Sequence, residues 1–273
     1  MKYLIFGNGY IGNKFKGALG EDAEITGVDI GNIDEVRNVL DEKNPDVIIN
    51  CAGKTGKPNI DWCEDHKEET MYSNVTGPLV LAQACFDKGI FMVHLGSGCI
   101  YQGDNEGKGF SENDVADMKK IPSFYSLTKF ISEYMLKQFP VLQCRLRMPL
   151  DSHRSPRNFI TKITNYEKVI NESNSMTVID DLIDATIKLI EKRKTGIYNV
   201  TNPGSITHKE ILDMYKELVD PDFEYILMDL DELAKVTKAG RSNCILNTDK
   251  LKKEGIYLPE IHEAIRGVLK NYK

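Results

Sequence analysis

At its seventh residue the chain passes from the apolar run KYLIFG into GNGYIG, and this junction constrains the fold more than any other feature. Gly7, Gly9 and Gly12 stand in G-x-G-x-x-G spacing, with a strand-like segment before them and Ile11, Phe15 and Leu19 at helical spacing after them. In such a unit the first glycine permits a tight turn, the second lets a pyrophosphate approach the backbone, and the third lets helix and strand pack closely. A glycine-rich turn without a ligand shows the same spacing, so the flanking strand and helix carry the dinucleotide-binding reading.

The alternation continues. AEITGVD predicts a brief second strand with Asp29 at its end. That carboxylate is either a partner for the adenosine ribose hydroxyls or a solvated strand-end group. DVIINCAG (46–53) and IFMVHLGS (90–97) are near-continuous apolar runs, as in strands covered on both faces. The intervening TGPLVLAQACFDKG predicts a helix ending at Gly89. After the strand VLQCRLRMP comes the polar stretch LDSHRSPRNF, where the alternation breaks. The expected fold is α/β, a Rossmann-like doubly wound parallel sheet with a smaller C-terminal substrate-binding lobe. Its dinucleotide-binding domain is placed at 1–146 and the lobe at 147–273, with residues about 176–200 returning to the first domain. MTVIDDLIDATIKLIEKRK predicts a short strand and a helix capped near Asp180, and Thr207 with Glu210 has capping-box spacing.

Composition narrows the function. The 273 residues are 41% hydrophobic and 28% charged, with a net charge of -6 and both signs interspersed. No basic stripe is offered to nucleic acid or to an anionic membrane. No apolar run is long enough to span a bilayer and no signal peptide is evident, so a cytoplasmic protein is expected. Six cysteines and five histidines lack metal-ligand spacing, and no metal is expected. The cysteines read as free thiols.

Tyr125 and Lys129 in YSLTK lie four apart, on one face of a helix. A nearby ammonium stabilises a phenolate and lowers the tyrosine pKa. Y-x-x-x-K alone is common. Following a Rossmann motif and Ser97 at the end of MVHLGS, it resembles the Ser-Tyr-Lys triad of the short-chain dehydrogenase/reductase superfamily, in its extended branch acting on nucleotide sugars. The blocks CAGKTGKPNIDWCEDHKEE, GSGCIYQG, SFYSLTK, RMPLDSHRSPRNFITKITNYEKV, NSMTVIDDLI, GIYNVTNPGSITHKEILDMY and GRSN are similar, in order, to the bifunctional 3,5-epimerase/4-reductase family that converts UDP-4-keto-6-deoxy-D-glucose to UDP-L-rhamnose. The alternatives are a 4-ketoreductase without epimerase activity, an enzyme like GDP-L-fucose synthase, and a subunit that kept the fold and lost turnover.

The resemblance implies the remaining roles. A C4 ketone acidifies the C3 and C5 hydrogens, so a base removes each proton and an acid returns one to the opposite face. In this family the pair corresponds to Cys99, two residues after the triad serine, and Lys162 in NFITKIT; which is base and which acid stays open. NADP(H) is the implied cofactor, with NAD(H) as the alternative. Its contacts are expected at Gly7, Gly9, Tyr10, Ile11, Gly12, Asp29, Ile30, Cys51, Ala52, Gly53, Tyr125, Lys129 and Pro149. Lys14, Lys16 or Arg37 are candidates for a 2'-phosphate. Thr55, Asn59, Trp62, Asn158 and Arg241 are expected to bind the UDP-sugar, with His153 as a lesser candidate. Asn74 corresponds to the superfamily's structural asparagine. His94 is expected to pack within its strand. A homodimer is an option in this superfamily.

Overall fold

The computed structural model describes residues 1–273. Strands β1 (Tyr3–Phe6), β2 (Ala23–Thr26), β3 (Val47–Asn50), β4 (Phe91–Ser97), β5 (Val141–Leu146) and, much later, β9 (Gly196–Asn199) form a six-stranded parallel sheet in the order β2-β1-β3-β4-β5-β9. Four short strands lie outside it. β6 (Pro149–Leu150) pairs with β8 (Thr177–Val178), and β7 (Lys168–Ile170) pairs with β10 (Ile226–Met228).

The period-two alternation of side chains sorts the strand residues onto two helical layers. Leu4, Phe6, Ile48 and Met92 face a core closed by α2 (Ile33–Lys43), with α3 (Asp61–Asp65) and α4 (Lys67–Met71) leading into α5 (Gly77–Lys88), and by Leu136 of α6 (Phe124–Leu136). Tyr3, Ile5, Val47, Ile49, Val93 and Leu95 face the other side, against Phe15 of α1 (Tyr10–Leu19). Both faces are covered, which is why the strands read as continuous apolar runs.

A third core gathers Ile160 and Ile163 of α7 (Phe159–Thr164), Val169, Val178, Ile211 of α9 (His208–Leu218) and Ile265 of α12 (Ile261–Lys270). Between them run α8 (Ile179–Glu191), α10 (Leu230–Val236) and α11 (Asp249–Lys253); α8 supplies Leu182 and Leu189 to the α1 side of the sheet.

Local signals set the boundaries. Gly89 closes α5 in the left-handed region, and Thr207 and Glu210 form a complete capping box on α9. One expected cap is absent: α8 starts at Ile179 after Val178, without a side-chain cap, and Asp180 and Asp181 lie in its first turn instead, where they favour the positive helix end. β2 is also shorter than expected. It stops at Thr26, so Asp29 lies three residues beyond it in an exposed turn. No helix is long and apolar enough to cross a membrane.

Candidate active site

The order in which strands are added to the sheet reverses after β2, leaving a switch point between β1 and β3, and ligands of such sheets bind outside the carboxyl ends of the strands at that point. The glycines after β1 are shaped for this. A Cβ on Gly7, whose φ is 106°, would lie 2.6 Å from the Ala52 nitrogen, and a Cβ on Gly12 would lie 2.0 Å from the Gly7 carbonyl oxygen. These two hold β1, β3 and α1 together. At Gly9 no protein atom lies within 4 Å of the Cβ position, and Gly9 lines the large cavity at the strand ends. The cradle therefore fits a pyrophosphate lying over the start of α1.

The cavity has a volume of about 520 Å³. Tyr10, Ile11, Cys51, Ala52, Gly53 and Pro149 line it at the cradle end, and Gly7 and Gly12 support it from behind. Asp29 and Ile30 do not line it. Asp29 instead accepts hydrogen bonds from the Gly31 N–H at 2.9 Å and the Tyr72 hydroxyl at 3.0 Å, while Ile30 is buried beneath Gly77. None of the three candidate 2'-phosphate cations is free: Lys14 pairs with Asp151, Lys16 donates to the Gly20 and Ala23 carbonyls, and Arg37 pairs with Asp87 at 3.2 Å.

Ser97 ends β4, and its hydroxyl accepts the Cys99 N–H at 3.2 Å, where the chain turns and Ser97 and Cys99 both line the cavity. Ser123 caps α6, whose first turns carry Tyr125 and Lys129 into the same space. A π-helical turn at Tyr72–Thr76 presents Asn74, which bonds both backbone groups of Lys54 and the Thr128 hydroxyl and so ties the β3 loop to α6. His94 is buried in β4 within 3.1 Å of the Asn50 amide.

The electrostatics differ from the simple expectation for Tyr125. Burial pushes its phenol up, the Cys99 and Cys63 thiols push the same way, and Arg147 with a hydrogen bond from Ser97 pulls it down. Lys129 is itself lowered by burial, against the pull of Cys99 and Glu133, and its ammonium donates to the Leu95 carbonyl at 3.1 Å. The tyrosine is thus held in its protonated form. Burial also lowers Lys162, and the neighbouring Arg157 cation adds to the effect. An amine brought down toward neutrality exchanges protons more readily than a solvated one.

The expected substrate residues separate into two groups. Thr55, Asn59 and Arg241 line the cavity, as does the catalytic candidate Lys162, with Arg241 donating to Asp61 at 2.8 Å. Trp62 does not; its ring stacks on His66 at 3.9 Å and lies under the Lys54 ammonium. Asn158 does not either. It is fully buried as the N-cap of α7, accepting the Ile160 N–H and donating to Asp151 and the His153 carbonyl, so no polar atom remains for a ligand. An Asn directly before an apolar helical segment is itself a capping signal, and that reading anticipates the role. Its neighbour Arg157 faces the cavity instead, bonding the Thr55 hydroxyl at 2.9 Å and the Gly56 carbonyl at 3.1 Å. Arg147 and His208 also line the cavity, unsuspected from sequence because the residues that bring them there lie far apart in the chain. His153 lies outside it, near Lys14 and Ser152.

The RmlD substrate binding domain family matches residues 1–273. A bifunctional dTDP-4-dehydrorhamnose 3,5-epimerase/dTDP-4-dehydrorhamnose reductase of Arabidopsis thaliana is 41% identical, over 96% of this chain and 90% of that protein. A trifunctional Arabidopsis enzyme that adds a UDP-glucose 4,6-dehydratase is also 41% identical, and this chain spans 41% of its length. The crystal structure of the UDP-rhamnose synthase of Acanthamoeba polyphaga mimivirus superposes with a TM-score of 0.94 at 35% identity, covering 99% of both chains. A dTDP-4-dehydrorhamnose reductase from Bacillus anthracis, solved with NADP, shares the fold with a TM-score of 0.84 at 22% identity, over 98% of this chain and 99% of that one. With its Rossmann cradle, its Ser97, Tyr125 and Lys129 in one cavity and these relatives, the chain belongs to the RmlD substrate binding domain family, on the branch of the bifunctional 3,5-epimerase/4-reductases.

Proposed function

We propose that this protein converts UDP-4-keto-6-deoxy-D-glucose to UDP-L-rhamnose, epimerising C3 and C5 and then reducing C4 with NADPH. The observation that carries the reading is the meeting of Ser97, Tyr125 and Lys129 with Cys99 and Lys162 in a single cavity, although they come from β4, the turn after it, α6 and α7. A ketoreductase needs only the first three; the last two add a proton-exchanging pair. The coenzyme of this reading is NADPH, the reduced form of the NADP with which the Bacillus reductase of the same fold was solved. The six free thiols accord with a reducing, cytoplasmic setting. Exposed Phe86 on α5 and Tyr134 on α6 support a homodimer through these helices.

Gly9, Ala52 and Lys129 line the space that would hold the nicotinamide coenzyme, which when bound would supply the hydride for C4. The Ser97 and Tyr125 hydroxyls hold the C4 oxygen and stabilise the charge it gains as protons leave C3 and C5. Cys99 and Lys162 remove and return those protons on opposite faces. Tyr125, kept protonated by burial, gives its proton to the C4 oxygen at the reduction, and Lys129 would hold the coenzyme ribose. Arg241 and Arg157 line the cavity and suit the diphosphate: each commits only Nη1 to the protein, which leaves Nε and Nη2 for two phosphate oxygens.

The test is incubation with UDP-4-keto-6-deoxy-D-glucose and NADPH in deuterium oxide, with NMR and mass spectrometry of the product. The wild type is expected to yield UDP-L-rhamnose with deuterium at C3 and C5. Cys99→Ala should lose at least one exchange by about 100-fold, yet still reduce an already epimerised 4-keto substrate. Reduction without deuterium uptake in the wild type would leave a plain ketoreductase.

A further inference from the structure

Two arginines stand two residues apart at the end of β5, and the fold treats them differently. Arg145, 1% exposed, is fully neutralised: its Nε and Nη2 donate to the two Glu133 carboxylate oxygens at 2.6 and 2.8 Å. Arg147, 4% exposed, bonds only neutral oxygens. Its Nη1 donates to the Ser242 hydroxyl at 3.3 Å and its Nη2 to the Ser242 carbonyl at 2.8 Å and to the Asn174 side chain. Its Nε is buried without any partner, and the residue lines the active cavity. Burying a cation without an anion costs several kcal/mol. The chain accepts that cost here, two residues from a place where it supplies a carboxylate.

The position of the stem says where the charge acts. A Cβ on Gly98 would lie 2.7 Å from the Leu246 Cδ1 and 3.0 Å from the Arg147 Cδ, so the missing side chain between Ser97 and Cys99 leaves room beneath that loop for both the leucine and the arginine stem. From there the guanidinium acts on Tyr125, on His208 and on Cys244, whose thiol donates to the Gly98 carbonyl. Its two terminal nitrogens are committed to the wall, which leaves no free fork for a diphosphate.

We propose that Arg147 is the fixed cation that stabilises the negative charge on the substrate's C4 oxygen while C3 and C5 are deprotonated. The inference rests on the epimerase reading of the same site. In each step a C–H bond breaks, its proton passes to Cys99 or Lys162, the electron pair enters a C=C bond to C4, and the carbonyl oxygen becomes the enolate oxygen. Return of a proton from the other face reverses every change. A preorganised charge beside that oxygen lowers the barrier without solvent reorganisation.

The same charge also bears on the Tyr125 proton, opposing the larger effect of burial and that of the Cys99 and Cys63 thiols. Tyr125 is faced by Cys99 and Ser97 from the β4 loop, by Cys63 from α3, by Lys129 on its own helix and by Arg147 after β5. Removing the one cation among them that lowers the phenol raises it, so the acid form persists to higher pH.

The experiment measures exchange of C3 and C5 protons in deuterium oxide with NADP⁺, and separately the pH dependence of reduction of UDP-4-keto-L-rhamnose with NADPH. Arg147→Gln should slow exchange about 100-fold and move the alkaline limb of the reduction to higher pH. Arg147→Lys, which keeps the charge, should retain exchange within about fivefold and leave the limb in place. Asn174→Asp sets a carboxylate beside the intact arginine and should slow exchange as well, which keeps the test open if Arg147→Gln does not fold. Exchange at the wild-type rate in Arg147→Gln or in Asn174→Asp, or equal loss in the Gln and Lys variants with an unmoved limb, overturns the role. A wild type that reduces without exchanging overturns the epimerase reading, and the enolate role falls with it.

Discussion

Gly9→Ala and Gly12→Ala place the same methyl group into two glycines of one motif, and the structure predicts opposite consequences. At Gly12 the new Cβ would meet the Gly7 carbonyl oxygen at 2.0 Å, more than an ångström inside normal contact, and both partners are backbone. Relief requires α1 to move off β1. Overpacking of this kind costs about 1–3 kcal/mol, and the rigidity of the partners puts it at the upper end. In a chain of this size that lowers the melting temperature by roughly 5–10 °C. At Gly9 the backbone is extended, with φ of -107°, and the methyl group meets no protein atom within 4 Å. The small entropic gain and the small loss at an N-cap offset each other to within about 1 kcal/mol. The methyl does occupy the path of the pyrophosphate. Loss of one or two charge-assisted N–H bonds, about 1.5–3 kcal/mol each, weakens the coenzyme by roughly 100-fold. Differential scanning fluorimetry with and without NADPH, together with a fluorescence titration, reads both quantities. A Gly9→Ala protein that binds NADPH like the wild type, or melts as early as Gly12→Ala, refutes the assignment of that space to the coenzyme.

Two further outcomes test the framework. Asn158→Ala removes a buried amide whose partners Asp151, His153 and Ile160 are then left unsatisfied; a loss of about 2–4 kcal/mol in urea unfolding is expected, and an unchanged midpoint with a raised KM for the sugar nucleotide would restore Asn158 as a ligand. His208 is held neutral by burial and by the Arg147 charge, its pKa falling to about 4. Since the unfolded chain takes up a proton near 6.5 and the native chain does not, its contribution is intact above that pH and is lost as pH falls toward 4, by roughly 3 kcal/mol in all. His208→Gln should flatten the acid limb of stability over that window, measured by chemical unfolding at successive pH values, with His94, also lowered by burial, accounting for what slope remains.

What was legible in the sequence was whatever depends on near neighbours. The run into GNGYIG, the continuous apolar strands, the four-residue step from Tyr125 to Lys129 and the capping box at Thr207 are local patterns, and backbone geometry turns each into one structure. Asn158 was local as well, but its partner in the chain, the start of α7, was the right clue and the phosphate the wrong one. The tertiary structure alone decided the rest. Whether Asp29 reaches a ribose depends on where β2 ends, and its oxygens go to Gly31 and Tyr72. Whether a lysine lowers a tyrosine depends on how much water both have lost, and here burial outweighs proximity. The two buried arginines of CRLRMP look equivalent in the chain; Glu133 neutralises one, and nothing charged meets the other. Spacing along a helix or strand fixes which side chains share a face, whereas desolvation and pairing are sums over groups brought together from distant parts of the chain, and only the folded arrangement contains them.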